Sequence, residues 1–352
     1  MSAPFRVTAA ALNALATRLA ADGTRVVAPV PHGKGLEYAA VTGDVTLDAA
    51  APLPRRSLKE FFLPPTEALV KWTRTPGGTL AKDAFRAAQP TVILGARACD
   101  AAALPILDRV MDWDYRDDAW FARREATVIV TLSCGAADGA CFCEAVGLAP
   151  DAAHGSDVVL TPCGDGFVAE ACSPKGEAFL AAHAETFAAA VDADADVAAA
   201  DAFRAAARAR AQAALAKQPT IDPAAVRAKA AAHFEDGPWA EIARRCHGCG
   251  ACAFVCPTCH CFDIVDEPEG QDGGTRRRNW DTCQSGRFTL HASGHNPRPD
   301  QGARFRQRVL HKFSVYPEKF DAILCTGCGR CSRTCPAGMN LPEVLARVAE
   351  TP

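Results

Sequence analysis

Two cysteine runs of one pattern constrain this chain more than any other feature. Cys246-His-Gly-Cys249-Gly-Ala-Cys252-Ala-Phe-Val-Cys256-Pro257 fits C-x2-C-x2-C-x3-C-P, and Cys325-Thr-Gly-Cys328-Gly-Arg-Cys331-Ser-Arg-Thr-Cys335-Pro336 fits it again. Three thiolates spaced by two residues can wrap one face of a 4Fe-4S cubane. The fourth, displaced by a helical turn and followed by proline, reaches the other cluster of a pair. On that rule Cys246, Cys249, Cys252 and Cys335 hold one cluster, and Cys325, Cys328, Cys331 and Cys256 hold the second. Gly248, Gly250, Gly327 and Gly329 fit the same picture, since backbone wrapped around a cluster needs residues without Cβ. A pair of zinc sites is the competing reading. It needs only four ligands per metal and gives no reason for a repeated fourth Cys-Pro.

The remaining composition agrees with metal chemistry. The chain has 352 residues and seventeen cysteines, and eleven of those fall between Cys246 and Cys335. The N-terminus, Met1 to Leu12, lacks the layout of a secretion signal, and no run of about 18 apolar residues occurs. A cytoplasmic protein without a membrane span is therefore expected, in which thiols stay reduced and structural disulfides are rare. A hydrophobic content of 49% describes a globular protein of two domains, and a net charge of -3 gives no general attraction to nucleic acid.

The fold expected is α+β: an α/β-type domain over residues 1–190, a helical connector over 191–235, and a mainly helical dicluster ferredoxin-like domain over 236–352. Thr8 to Ala21 reads as an amphipathic helix, and Arg25–Pro29 and Leu36–Val41 as short strands. Thr91–Leu94 and Thr127–Leu132 are apolar and β-branched, as buried central strands are. Each runs directly into a cysteine, Cys99 or Cys134, and sites in α/β sheets collect at the C-terminal ends of such strands. Alanine-rich residues from about 177 to 232 read as two or three helices, Glu267 to Gly274 as a loop, and Leu341 to Ala349 as a closing helix. About 70 residues separate the motifs, too many for a compact bacterial ferredoxin, which favours a helical ferredoxin-type module with a long insert.

Cys134, Cys141 and Cys143, with Cys99 from the neighbouring strand end, could supply four sulfurs to a third cluster; a reactive thiol pair or a structural core are the alternatives. Cys163 and Cys172 flank a hairpin at Gly164-Asp-Gly166 and read as structural. Within the insert, Cys259, Cys261 and Cys283 could bind a further metal, adjust a cluster's environment or simply be buried. The insert also carries Arg276, Arg277, Arg278, His291, His295, Arg304, Arg306, Arg308, His311 and Lys312, by default a solvated basic face and otherwise a docking surface for an acidic partner. Isolated histidines such as His260 and His295 read as structural groups.

Cys256-Pro-Thr-Cys-His-Cys-Phe-Asp263, Trp280-Asp-Thr-Cys283, Leu290-His-Ala-Ser-Gly-His-Asn-Pro297 and the second cysteine run occur in an order that resembles the beta subunit of sulfhydrogenases and the iron–sulfur subunit of anaerobic sulfite reductase. Lys59-Glu-Phe-Phe-Leu-Pro64, Gly95-Ala-Arg-Ala-Cys99-Asp100 and Cys141-Phe-Cys143 extend the likeness over most of the chain. Ala98 stands where that family usually has proline. The resemblance implies an electron-transfer subunit with 4Fe-4S clusters, lying between a flavin subunit that handles NAD(P)H and a catalytic subunit of hydrogenase or sulfite/sulfur reductase type. No G-x-G-x-x-G fingerprint follows a predicted strand, so flavin and pyridine nucleotide belong to a neighbour. Two other functions compete: an iron–sulfur redox sensor, which would need a regulatory element the sequence lacks, and a stand-alone reductase working at Cys99, Cys134, Cys141 and Cys143.

Overall fold

A computed structural model describes residues 4–84, 87–189 and 193–352. The class is α+β, as expected. Among the described residues twelve strands form two sheets: β1 Phe5–Thr8, β2 Arg25–His32, β3 Gly35–Val41, β4 Thr66–Thr75, β5 Gly78–Asp83, β6 Thr91–Arg97, β7 Thr127–Leu132, β8 Val158–Cys163, β9 Gly166–Ala171, β10 Ala188–Ala189, β11 Phe262–Pro268 and β12 Gly273–Trp280.

The larger sheet has the order β10-β1-β9-β8-β7-β6-β2-β3, parallel from β2 through β6 and β7 to β8 and antiparallel outside. Alternation along each central strand sends neighbours to opposite faces. Val26, Val92, Leu94 and Val130 join a core with Leu12 and Leu15 of the helix Ala9–Ala21. Val27, Ile93 and Ile129 join a second core with Phe62, Leu104 and Trp120. Both faces are covered, which is why β6 and β7 read as continuous apolar runs. Thr8 caps the helix Ala9–Ala21 by accepting from the Ala11 amide at 3.1 Å.

The alanine-rich stretch forms the helices Pro174–Ala182, Ala193–Leu215 and Pro223–Ala232. The expected boundary at residues 190 and 191 lies outside the described residues, as do the first three residues of the N-terminal stretch. Val226 and Ala230 bury into a third core with Phe305, Val309, Leu341 and Leu345 from the C-terminal helices. The closing helix runs Leu341–Ala349.

The second sheet, β11-β12-β4-β5, joins the two ends of the chain. Residues read as a loop at Glu267–Gly274 are the tip of the β11–β12 hairpin, and β12 pairs with β4 from Gly273↔Thr73 to Asn279↔Thr66. Arg278 of β12 is buried between Glu67 of β4 (2.6 Å) and Asp117. Among the described residues no helix is long and apolar enough to cross a membrane.

Candidate metal centre

The two cysteine runs take one backbone course. Gly248 and Gly327 have φ of +67° and +64°, and Gly250 and Gly329 have +77° and +69°, a left-handed region open to glycine at little cost. At Gly327 the room is also missing: a Cβ would lie 2.5 Å from the backbone nitrogen and Cα of Cys143. Each loop then enters a short helix, Ala251–Phe254 or Arg330–Thr334, that turns its last cysteine away from the first three.

Three cysteine-lined cavities result. Cys246, Cys249, Cys252 and Cys335 line the first, with Cys331 and Arg308 in its wall. Cys256, Cys325, Cys328 and Cys331 line the second, with Arg308 and Lys312. Cys99, Cys134, Cys141 and Cys143 line the third, with Cys328 and Gly327. The cavities are in series. Cys331 is shared by the first and second, and Cys328 by the second and third.

The third cavity follows from the sheet. Strands β6 and β7 are parallel, so Cys99 and Cys134 emerge side by side at one edge. Phe142 explains the Cys-Phe-Cys sequence: its ring is buried in the C-terminal core and its amide donates to the Gly327 carbonyl at 2.8 Å, leaving Cys141 and Cys143 on either side. Arg333 of the second run donates to Cys141 Sγ at 2.9 Å and pairs with Asp138.

Charge is arranged to receive anionic sulfur. Lys59, Arg308 and Lys312 are all buried, and among the described residues none has a carboxylate partner. Buried cations need counter-charge. Lys312 Nζ lies 3.5 Å from Cys256 Sγ, and Arg308 donates to Cys259 Sγ at 3.6 Å and to the Cys252 carbonyl at 3.3 Å. Burial opposes the charge on both, yet neighbouring sulfurs outweigh it and raise both pKa values. Burial also pushes the metal-free Cys252 thiol to about 11 and Cys325 to about 12, so iron binding there must displace protons. Sulfur acceptors are further supported by the Met339 amide to Cys335 Sγ (3.3 Å), the Gly327 amide to Cys325 Sγ (3.4 Å) and Gln301 Nε2 to Cys246 Sγ (3.3 Å). The donor set is all thiolate, with backbone and side-chain N–H groups directed at sulfur, and it fits iron–sulfur clusters.

The insert departs from the solvated basic face expected of it. Arg278, Arg308 and Lys312 are buried, while Arg276 pairs with Asp266, Arg277 with Glu267 and Arg306 with Glu235. His260 is structural, its Nδ1 3.1 Å from the Thr258 carbonyl, and burial lowers it to about 4. Cys163 is buried in a small core with Val168 and Ala200, whereas Cys172 is exposed.

Sequence reasoning missed Asp100 and Arg330. Arg330, between Cys328 and Cys331, makes a two-point ion pair with Asp100, the residue after Cys99; Tyr38 Oη donates to Asp100 Oδ2 at 2.9 Å and Arg330 Nε to the Pro54 carbonyl at 2.9 Å. The available signal was a guanidinium inside a ligand loop, where a small residue would have sufficed.

Two matched cysteine runs on one helical module, with cation-lined cavities between them, define an iron–sulfur protein of the dicluster class, and residues 245–339 match the 4Fe-4S dicluster domain family. Sulfhydrogenase 2 subunit beta of Pyrococcus furiosus is 30% identical over 329 residues, 93% of this chain and 92% of that protein. The chain belongs to the sulfhydrogenase beta-subunit family.

Proposed function

We propose that the chain relays single electrons between a subunit that handles NAD(P)H through a flavin and a catalytic subunit of hydrogenase or sulfite/sulfur reductase type. Cys246, Cys249, Cys252 and Cys335 hold one 4Fe-4S cluster, and Cys325, Cys328, Cys331 and Cys256 the second. Cys99, Cys134, Cys141 and Cys143 hold a third. Each cluster, once held, exchanges one electron at a time at a potential set by its surroundings. The thiolates are ligands and not nucleophiles; Arg308 and Lys312 balance their charge, and the glycines let backbone approach.

The observation that carries this reading is the series of three cavities with Cys331 and Cys328 in the dividing walls. A substrate site would need one cleft with convergent acid, base or nucleophile; a row of sulfur-lined cavities suits conduction. Anaerobic purification with iron and sulfide analysis tests it: three clusters require about twelve irons per chain and two about eight. An iron-free chain, or turnover of sulfite or polysulfide by the isolated chain with an artificial donor, would overturn the relay.

A further inference from the structure

The helix Gln301–Leu310 opens on Asp300, whose carboxylate accepts from the Ala303 amide at 2.8 Å. Gln301, Arg304 and Arg308 recur along it at spacings of three and four, so they share one side. That side meets the first cysteine run: Arg308 stands in the wall of the first cavity, and Gln301 Nε2 donates to Cys246 Sγ at 3.3 Å. Gly248 leaves the room for this. A Cβ there would lie 2.8 Å from Gln301 Oε1, so the glycine that turns the loop also admits the carboxamide beside it.

The carboxamide is locked in one orientation. Arg304 donates to Gln301 Oε1 from Nε at 3.2 Å and from Nη2 at 3.0 Å. A guanidinium has only donors, so the oxygen must face Arg304 and the nitrogen must face sulfur. The other N–H of Gln301 goes to Gln284 Oε1 at 2.8 Å, and Gln284 is fixed in turn by Nε2 donating to the Arg304 carbonyl at 3.0 Å. Both donors and both lone pairs of the Gln301 carboxamide are thereby used. Arg304 Nη1 is held by the carbonyls of Arg298 (3.2 Å) and Pro299 (3.0 Å), so every hydrogen bond its guanidinium makes among the described residues is to a neutral acceptor. Cys325, the first cysteine of the second run, has no such arrangement. It accepts from the Gly327 amide at 3.4 Å and from no side chain among the described residues.

We propose that Gln301 is a positioning residue for the relay, its locked N–H raising the reduction potential of the first cluster and drawing electrons toward that end of the chain. The inference rests on the assignment of Cys246 to that cluster. Reduction adds one negative charge, which spreads onto the cluster sulfurs, and a fixed donor therefore stabilises the reduced form more than the oxidised one. The electron arrives from the neighbouring cluster. The amide keeps its proton, so the step takes up none from solvent.

The experiment is a redox titration of the whole anaerobically purified protein followed by electron paramagnetic resonance, with the first cluster's signal taken as the one absent from Cys249→Ser. Gln301→Leu removes the donor at a half-buried position. It is expected to shift that cluster's one-electron equilibrium about tenfold toward the oxidised form, roughly 59 mV, with iron per chain and the other signals at their wild-type values. Gln301→Glu keeps an oxygen for Arg304 but has no N–H for sulfur, and should shift the equilibrium at least as far. Arg304→Lys keeps the charge but loosens the two-point hold on Oε1, and a smaller shift in the same direction is expected. An unchanged first-cluster potential in Gln301→Leu and Gln301→Glu overturns the proposal. So does an equal shift of every signal, or loss of iron in both variants, either of which would leave Gln301 a structural role only. Iron-free wild-type protein, or a Cys249→Ser protein that keeps every signal, would instead sink the cluster assignment.

Discussion

Asp100 and Arg330 face each other in a two-point ion pair, both contacts 2.7 Å, with both side chains sealed from solvent. Asp100 follows Cys99 at the end of a central strand, and Arg330 lies inside the second cysteine run, so one pair fixes the third cavity against the second. Tyr38 and the Pro54 carbonyl complete the hydrogen bonding, leaving neither charge to water.

Removing one partner leaves an uncompensated buried charge. Arg330→Met is expected to destabilise by about 3–5 kcal/mol, and Asp100→Asn with Arg330→Met together by less than the sum of the two single changes. Denaturant unfolding of the four proteins closes the cycle; additive losses would mean the pair is not coupled.

The proposed crossover of the fourth cysteines predicts paired losses. Cys335→Ser is expected to impair the centre built mainly by the first run, and Cys256→Ser the one built by the second, each variant losing up to about four irons. Electron paramagnetic resonance should lose a different signal in each case. The same signal lost in both would refute the crossed assignment.

Arg308 borders the first two cavities and, among the described residues, bonds sulfur and a carbonyl and no carboxylate. Without its charge, adding an electron nearby becomes harder. Arg308→Gln is expected to shift the one-electron reduction equilibrium at least tenfold toward the oxidised form, roughly 59 mV more negative, while Arg308→Lys restores most of it. A redox titration followed by electron paramagnetic resonance reads the shift, and iron analysis establishes that the clusters remain.

Gly327→Ala combines a left-handed φ with a contact of 2.5 Å to Cys143 backbone. The strain alone costs about 1–3 kcal/mol, and the clash pushes the loop carrying Cys141 and Cys143 away. Loss of thermal stability should come with loss of iron beyond that of Gly270→Ala, whose φ of +75° is similar but whose Cβ meets nothing.

Asp138 supplies a pH dependence. Partial burial works to raise its carboxyl, but hydrogen bonds from Arg333 and the Ala140 amide outweigh this and hold it below the ordinary range. Such a carboxylate stabilises the fold above its unfolded pKa of about 3.9 and ceases to as pH falls through the lower folded value. Asp138→Asn should therefore melt below wild type at pH 7, with the gap closing under about pH 4. A gap constant down to pH 2.5 would exclude the carboxylate as its source.

The parts legible in the sequence were those with strong local rules. Thr91–Leu94 and Thr127–Leu132 announced central strands through unbroken β-branched runs, and Leu341–Ala349 announced a helix through its period. The two cysteine runs carried the spacing of the 4Fe-4S dicluster family openly. The β4–β12 pairing was invisible, because Thr66–Thr75 mixes polar and apolar groups without alternation and without saying which strand it meets, and β12 displays three consecutive arginines that read as solvated. Arg308 and Lys312 misled for a related reason. They lie four apart on one helical stretch and so share a side, but whether that side meets water or sulfur depends on residues about fifty positions earlier.

The shared sheet also sets an order on biosynthesis. When Thr66–Thr75 leaves the ribosome, one of its edges has no partner, and it waits for Gly273–Trp280, made some two hundred residues later. A nascent chain cut short before that point would display an unpaired edge, the feature that invites chaperone capture and proteolysis.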